Sequence, residues 1–344
     1  MTGRISPAEG LEDTASKIRD ILPETLVDLF MEQGNLSRDS FHSIHPVFPG
    51  KVAAVDGSQA ILCNGGHFSV GAVRAAVSVF HGGSRSRLRA TPVRVVMLGP
   101  DPENADFSQI FQESFHHSPR EPLPNKDPEW TVGILRETLE YAAMLLLSKE
   151  LSAGDILLVD GALRVSHAAH HPILAEIEET CAKRDVFLAA VTKKTSATWG
   201  KGYPLLPAVS GLAARWDMRG AWYVKIPRDI LVSTQYNEFY QNEIYVGRLS
   251  ADAPRGFKVE FPAGYADNDE YAARAFPALA AYAADARLPG YPYPLVDAHR
   301  TALIDIDLAE EIRHDLLFAV AERGMGYGEF HDLFGDYHDE LARY

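Results

Sequence analysis

Two stretches of the chain carry nearly the same message. Val52 to Ser58 reads Val-Ala-Ala-Val-Asp-Gly-Ser, and Leu157 to Ala162 reads Leu-Leu-Val-Asp-Gly-Ala. Each is a short apolar run rich in β-branched residues, the pattern of a buried strand, and each stops at an aspartate followed by glycine. Glycine turns the chain sharply and leaves the aspartate carboxylate at the strand's end. If the two strands are neighbours, Asp56 and Asp160 face each other at one rim of a sheet. Two carboxylates there repel unless a cation sits between them, and hard divalent cations prefer oxygen ligands. That is the ground plan of a metal-dependent phosphodiester-cutting site. Asp-Gly is equally an ordinary hairpin turn, so further residues must carry the chemistry.

The helix pattern before the second aspartate supplies one. Leu139 to Leu147 is apolar in almost every direction at 100° per residue, and Glu140 is the one charge within it. Glu140 should project beside Met144 and Leu147, where an unpaired carboxylate costs several kcal/mol. Arg136, one turn earlier, could be its partner; a cation shared with Asp56 and Asp160 is the other answer, and Glu137 is the substitute on a nearby face. Near the end, Tyr291 to Arg300 places His299 at the expected start of the last helix. There it could ligate a metal or exchange a proton, or simply pack on Tyr293. The paired His116 and His117 lie in a polar loop and are weak candidates. There is no P-loop, no serine nucleophile elbow and no dinucleotide fingerprint.

The elements that must position these residues read as follows. Leu11 to Gln33 is an amphipathic helical lead-in. Strands are expected over Lys51–Val55, Phe68–Phe80 and Pro92–Leu98, joined by a glycine turn and arginines into an antiparallel meander. Asp101 to Pro128 is polar and proline-rich. A long helix over Val132–Leu151, a strand over Asp155–Val159, a helix over Pro172–Arg184 and a strand over Val186–Val191 form an α/β portion. A polar loop spans Lys193–Gly202. Further strands are expected at Ala221–Ile226, Glu243–Leu249 and Gly256–Phe261, a helix over Asp269–Ala286, a turn over Pro289–Pro294 and a helix over Thr301–Arg323. The fold class is α/β with a mixed sheet and flanking helices. Neither a repeat nor a clear linker divides the chain, so residues 1–344 are read as one domain. Its core is about 51–300, its helical lead-in 1–45, and its C-terminal helix and acidic tail 301–344.

The chain has 344 residues, 46% of them hydrophobic, enough for a large core. No apolar stretch has the length of a membrane span, and Met1 to Gly10 shows no export signal. Cys63 and Cys181 fit neither a zinc spacing nor a disulfide framework, so a reducing cytoplasm is expected. The net charge of −14 counts against simple electrostatic binding of nucleic acid. The charge is uneven, however. Arg85, Arg87, Arg89 and Arg94 cluster, as do Lys193, Lys194 and Lys201, and either group could line a local basic channel or lie on a solvated loop.

Taken in order, these pieces resemble the NurA nuclease family. The matching segments are Val55-Asp56-Gly57-Ser58, Arg136 to Glu140, Leu158 to Leu163, Thr192 to Ser196, Phe257 to Pro262, and Pro292 through His299. The resemblance implies an RNase H-like core, a manganese- or magnesium-dependent deoxyribonuclease and a toroidal homodimer. It also implies partnership with a HerA-type hexameric ATPase in processing DNA ends for double-strand break repair. By the same resemblance, Asp56, Glu140, Asp160 and His299 are the metal ligands. Lys194, a compact charge, could contact the phosphate or neutralise developing charge, or lie as a solvated loop lysine. The family's site tyrosine has no clear counterpart: Phe261 is best placed, with Tyr245 or Tyr265 nearby. Ala162 stands where a serine often follows the second Asp-Gly. A function of another class is a non-catalytic DNA-end adaptor that stimulates a translocating ATPase, and RNA rather than DNA could be the substrate.

Overall fold

The computed structural model describes residues 10–19, 24–48, 50–66, 68–99, 105–124, 127–193, 195, 197–231, 242–264 and 269–335. The chain forms two compact units, Met1–Val47 with Ala190–Pro292, and Phe48–Ala189 with Tyr293–Tyr344. The first unit begins with helices α1 (Leu11–Arg19) and α2 (Glu24–Gln33) and strand β1 (Phe41–Ser43). The second follows with strands β2 (Lys51–Asn64), β3 (Ser69–His81), β4 (Ser84–Ala90) and β5 (Arg94–Leu98). Helices α3 (Ala105–Phe115) and α4 (Pro128–Glu150), strand β6 (Ile156–Asp160) and helix α5 (His171–Lys183) come next. Strand β7 (Phe187–Thr192) runs across the division. The first unit resumes with β8 (Thr198–Trp199), β9 (Tyr203–Pro204), α6 (Leu205–Arg215), β10 (Trp222–Lys225), β11 (Glu243–Arg248), β12 (Phe257–Phe261) and α7 (Asp269–Ala281). The second unit closes with α8 (Tyr293–Ala302), α9 (Ile306–Ala321) and α10 (Tyr327–Phe334).

In the second unit β6, β2, β3 and β4 lie side by side in that order, and β5 also pairs with β3. β2 and β6 are parallel, with Val52 opposite Ile156 and Val55 opposite Val159. Their starts are tied by one buried side chain: Asp155 accepts from the backbone N–H of Lys51 at 2.6 Å and of Ser152 at 2.9 Å. A buried carboxylate is stable only with such donors. β2 pairs antiparallel with β3 along nearly its whole length. β3 is long enough to take β5 against its first half and β4 against its second. The three-strand meander expected here is therefore a long hairpin with two partners on one edge. α4 starts where Asp127 caps it, accepting from Trp130 N at 3.0 Å, with Pro128 in the first turn where its missing N–H costs nothing.

In the first unit β1, β10, β11 and β12 form an antiparallel sheet, and Lys258–Glu260 of β12 pairs with Ala190–Thr192 of β7. Its core packs Phe30 against Trp199 and Phe41 against Trp222, with Val209, Leu212 and Val246 around them. Lys258 and Glu260 form an ion pair buried in β12.

Several expected elements moved. β2 does not stop at Val55; it runs through Asp56 and Gly57 to Asn64, because β3 continues to pair with it. The arginines at positions 85, 87 and 89 lie in strand β4 and not in a loop. The polar stretch after Asp101 contains helix α3, and α6 forms where no element was expected, in spite of Pro207 and Gly211. The turn expected up to Pro294 gives way to α8, so His299 lies in the second half of a helix and two more helices follow it. Among the described residues, no helix is long and apolar enough to cross a membrane. The mixed α/β class is the one read from the sequence.

Candidate metal centre

Alternation along β2 decides what each residue meets. Asp56 and Ser58 point to the side where α8 lies: Asp56 Oδ2 is 2.7 Å from His299 Nδ1, and Ser58 Oγ accepts from Ile304 N, just past α8, at 2.9 Å. Gly57 and Gln59 face α4. A Cβ on Gly57 would come within 2.5 Å of Glu140 Oε1 and 2.8 Å of Arg136 Cγ, so α4 approaches β2 as closely as it does only because this residue is glycine. Gly57 itself keeps ordinary extended backbone. Gly161 differs: its φ of 109° turns the chain away directly after Asp160.

The parallel register that sets Val55 beside Val159 carries Asp56 to Asp160. With His299 added from α8, the three side chains offer ligand atoms all within 4.8 Å of one another. Asp56 is buried, and Asp160 and His299 are half-buried. Asp56 Oδ1 also accepts from Gly57 N at 2.8 Å, which holds the carboxylate in one orientation. Two carboxylate oxygens and an imidazole nitrogen suit a divalent cation such as manganese or magnesium, with positions left for water or substrate.

Glu140 stands beside this triad but is not one of the three converging groups. Its Oε1 is 2.8 Å from Arg136 Nη1, one turn back on α4, and its side chain is 14% exposed. Burial pushes its carboxyl up to about 8; Arg136 opposes this, and Asp56, Glu137 and Asp160 add to it. Arg136 Nε also donates to Gln59 Oε1 at 3.1 Å, so the guanidinium is fixed at both ends. The surrounding acids, Glu140 first, hold Arg136 above its ordinary range. Glu137 points elsewhere. It accepts from the hydroxyl and the backbone N–H of Ser166. Behind it lies His170, fully buried, whose Nε2–H is accepted by the Thr138 hydroxyl at 2.9 Å while that hydroxyl donates to Ile134 O. His170 Nδ1 is 3.8 Å from Glu137, too far for a hydrogen bond, and burial drives the ring down to about 3. The imidazole is therefore neutral, and this contact is not an ion pair.

Helix α8 owes its seat to Asp297, a residue the sequence reading passed over. Asp297, buried, accepts from Ser78 Oγ at 2.7 Å and from Arg85 Nη1 at 3.1 Å. The signal available for it was Ser78, a fully buried hydroxyl in the apolar run of β3, which demands a partner. The arginine cluster is largely neutralised: Arg85 by Asp297, Arg87 by Glu150, and Arg94 by Glu113. Lys194 and Tyr265 lie outside the described residues. Phe261 and Tyr245 pack edge to face at 5.2 Å in the core of the first unit.

No curated protein matches the chain significantly. Among solved structures it is similar to the NurA nuclease from Sulfolobus solfataricus, at 13% identity and a TM-score of 0.55, covering 93% of this chain and 99% of that one. It is also similar to NurA bound to dAMP and manganese, at 11% identity and a TM-score of 0.56, covering 90% of this chain and 96% of that one. At these identities the likeness concerns the fold, which is the RNase H-like class. The family model for the NurA domain matches residues 50–304, most of the chain and every residue of the centre described above, and on that match the chain belongs to the NurA family.

Proposed function

We propose that this protein is a divalent-metal-dependent nuclease that hydrolyses phosphodiester bonds in DNA, with Asp56, Asp160 and His299 as ligands and Glu140 as a further acid of the site. The observation that carries this reading is the convergence of the three ligand atoms within 4.8 Å. The NurA structure that contains manganese and dAMP supports the choice of cation and of a nucleotide-like substrate. A bound divalent cation would activate water and neutralise charge on the phosphate. Asp56, oriented by the Gly57 N–H, would hold the cation together with Asp160 and His299. In the reaction, the water gives up a proton as its oxygen bonds to phosphorus, the P–O bond to the leaving sugar oxygen breaks, and that oxygen takes up a proton from solvent or a neighbouring acid. Glu140, whose carboxyl burial pushes up to about 8, is the acid beside the triad to which we assign proton transfer. Lys194 would contact phosphate.

At the level of biology, we read the protein as a cytoplasmic homodimer that processes DNA ends in double-strand break repair with a HerA-type hexameric ATPase. The two free, buried cysteines agree with a reducing compartment. The acidic balance agrees with DNA delivered by a motor rather than captured by charge. The decisive experiment is incubation of purified protein with end-labelled linear DNA, in manganese, in magnesium and in chelator. Metal-dependent shortening of the wild type, absent in Asp56→Asn, is the expected result. Cutting at the wild-type rate by Asp56→Asn would overturn the site, and no cutting in any metal would favour the adaptor reading. A parallel RNA substrate decides the nucleic acid, and co-purification with the ATPase decides the partner.

A further inference from the structure

Arg74 of β3 lies directly opposite Ser58 of β2, on the sheet face that carries Asp56. Both flanking contacts fix that face: Ser58 Oγ is bonded to Ile304 N beyond α8, and Ser78, four residues along β3, is bonded to Asp297 of α8. Asp56 and Arg74 are thus diagonal cross-strand neighbours, which lie about 7–8 Å apart and within reach of a long side chain. Arg74 Nε is buried with no hydrogen-bond partner, and the guanidinium forms no ion pair among the described residues. This sets it apart from Arg85, Arg87, Arg94 and Arg136, each held by a carboxylate. An enclosed N–H without an acceptor is a standing cost, and it is removed when a ligand supplies the acceptor. A guanidinium fork matches the paired oxygens of a carboxylate or a phosphate, and beside a site that cuts phosphodiesters the substrate supplies the phosphate.

We infer that Arg74 binds a phosphate of the nucleic-acid substrate beside the metal centre, an inference that rests on the nuclease reading above. The guanidinium donates to non-bridging oxygens and holds the backbone in register with Asp56 and Asp160. The planar fork makes arginine, and not lysine, the suited residue.

The test measures binding of labelled DNA in chelator over a salt series, together with steady-state cleavage in manganese, for wild type, Arg74→Met and Arg74→Lys. Arg74→Met keeps the apolar stem and removes the charge. Its expected effects are about tenfold weaker binding, a salt slope smaller by about 0.9 for duplex DNA, and a KM raised more than kcat is lowered. Arg74→Lys should recover the salt slope but only part of the affinity. Thermal midpoints in chelator should stay close to wild type. An unchanged salt slope and KM with a lowered thermal midpoint would overturn the inference and make Arg74 a packing residue under α8, while leaving the nuclease reading intact. A wild type that neither binds nor cuts DNA would overturn both.

Discussion

The two Asp-Gly pairs lie in neighbouring strands, read alike in sequence, and use their glycines for opposite reasons. At Asp160-Gly161 the strand ends. Gly161 adopts φ 109°, and a Cβ there would meet nothing within 4 Å, so the requirement is on the backbone. At Asp56-Gly57 the strand continues, the backbone is ordinary, and a Cβ would strike Glu140 and Arg136, so the requirement is on space. One glycine exposes its aspartate by turning the chain away. The other lets helix α4 bring an acid and its counter-charge against a strand that is already paired. A dipeptide that looks like a repeated motif is two separate solutions to placing a carboxylate.

The largest effect expected from this contrast falls on the aspartates themselves. Asp56→Asn and Asp160→Asn each remove a ligand charge while keeping shape. Each should slow metal-supported cleavage roughly a thousandfold, about 4 kcal/mol of transition-state stabilisation, with circular dichroism unchanged. A wild-type rate for either variant would show that its aspartate does not hold the ion.

The glycines come next. Gly57→Ala should destabilise by about 1–3 kcal/mol through overpacking, and part of that loss should vanish in a Glu140→Ala background. Gly161→Ala should cost about 1–2 kcal/mol of backbone strain and show no coupling to Glu140→Ala. Urea unfolding of the four variants tests this. Equal coupling at both sites would erase the distinction drawn here.

The smallest effect concerns the two sides of α4, where burial pushes Glu140 up to about 8 and His170 down to about 3. Burial disfavours the charged form of both, but their linkages run in opposite directions. A depressed histidine takes up its proton in the unfolded chain first. Its contribution is complete above the unfolded value near 6.5 and is lost as pH falls towards 3, about 2 kcal/mol by pH 5. A raised glutamate is complete below its unfolded value and its contribution is lost as pH rises through 8. In metal-free protein, His170→Gln should flatten the acid limb of a stability–pH curve, and Glu140→Gln the alkaline limb. Flattening of the wrong limb would refute the corresponding burial effect.

Much of the centre was legible because its residues break local rules. Glu140 was visible as a lone charge in an apolar helix, and the paired Asp-Gly runs stood out against β-branched strands. What stayed illegible has a common cause. The continuation of β2 past Asp56 depends on pairing with β3, which overrides the turn propensity of Asp-Gly. α6 forms over Pro207 and Gly211 because its face packs in the first unit's core, against the local signal. Arg136 was visible as a partner for Glu140, but its second hold on Gln59 spans from helix to strand. Asp297 could be sensed only from Ser78, far away in the chain.

By itself the sequence determined which residues could do chemistry, since carboxylates and imidazoles set against apolar runs must find partners wherever they end up. It also determined the alternation and helical periods that build the elements. Only the tertiary structure decided that Asp56, Asp160 and His299 converge within 4.8 Å while Glu140 turns to Arg136. Convergence is set by strand register and by the close approach of α8 and α4 to one sheet, and those follow from long-range packing that no local stretch encodes.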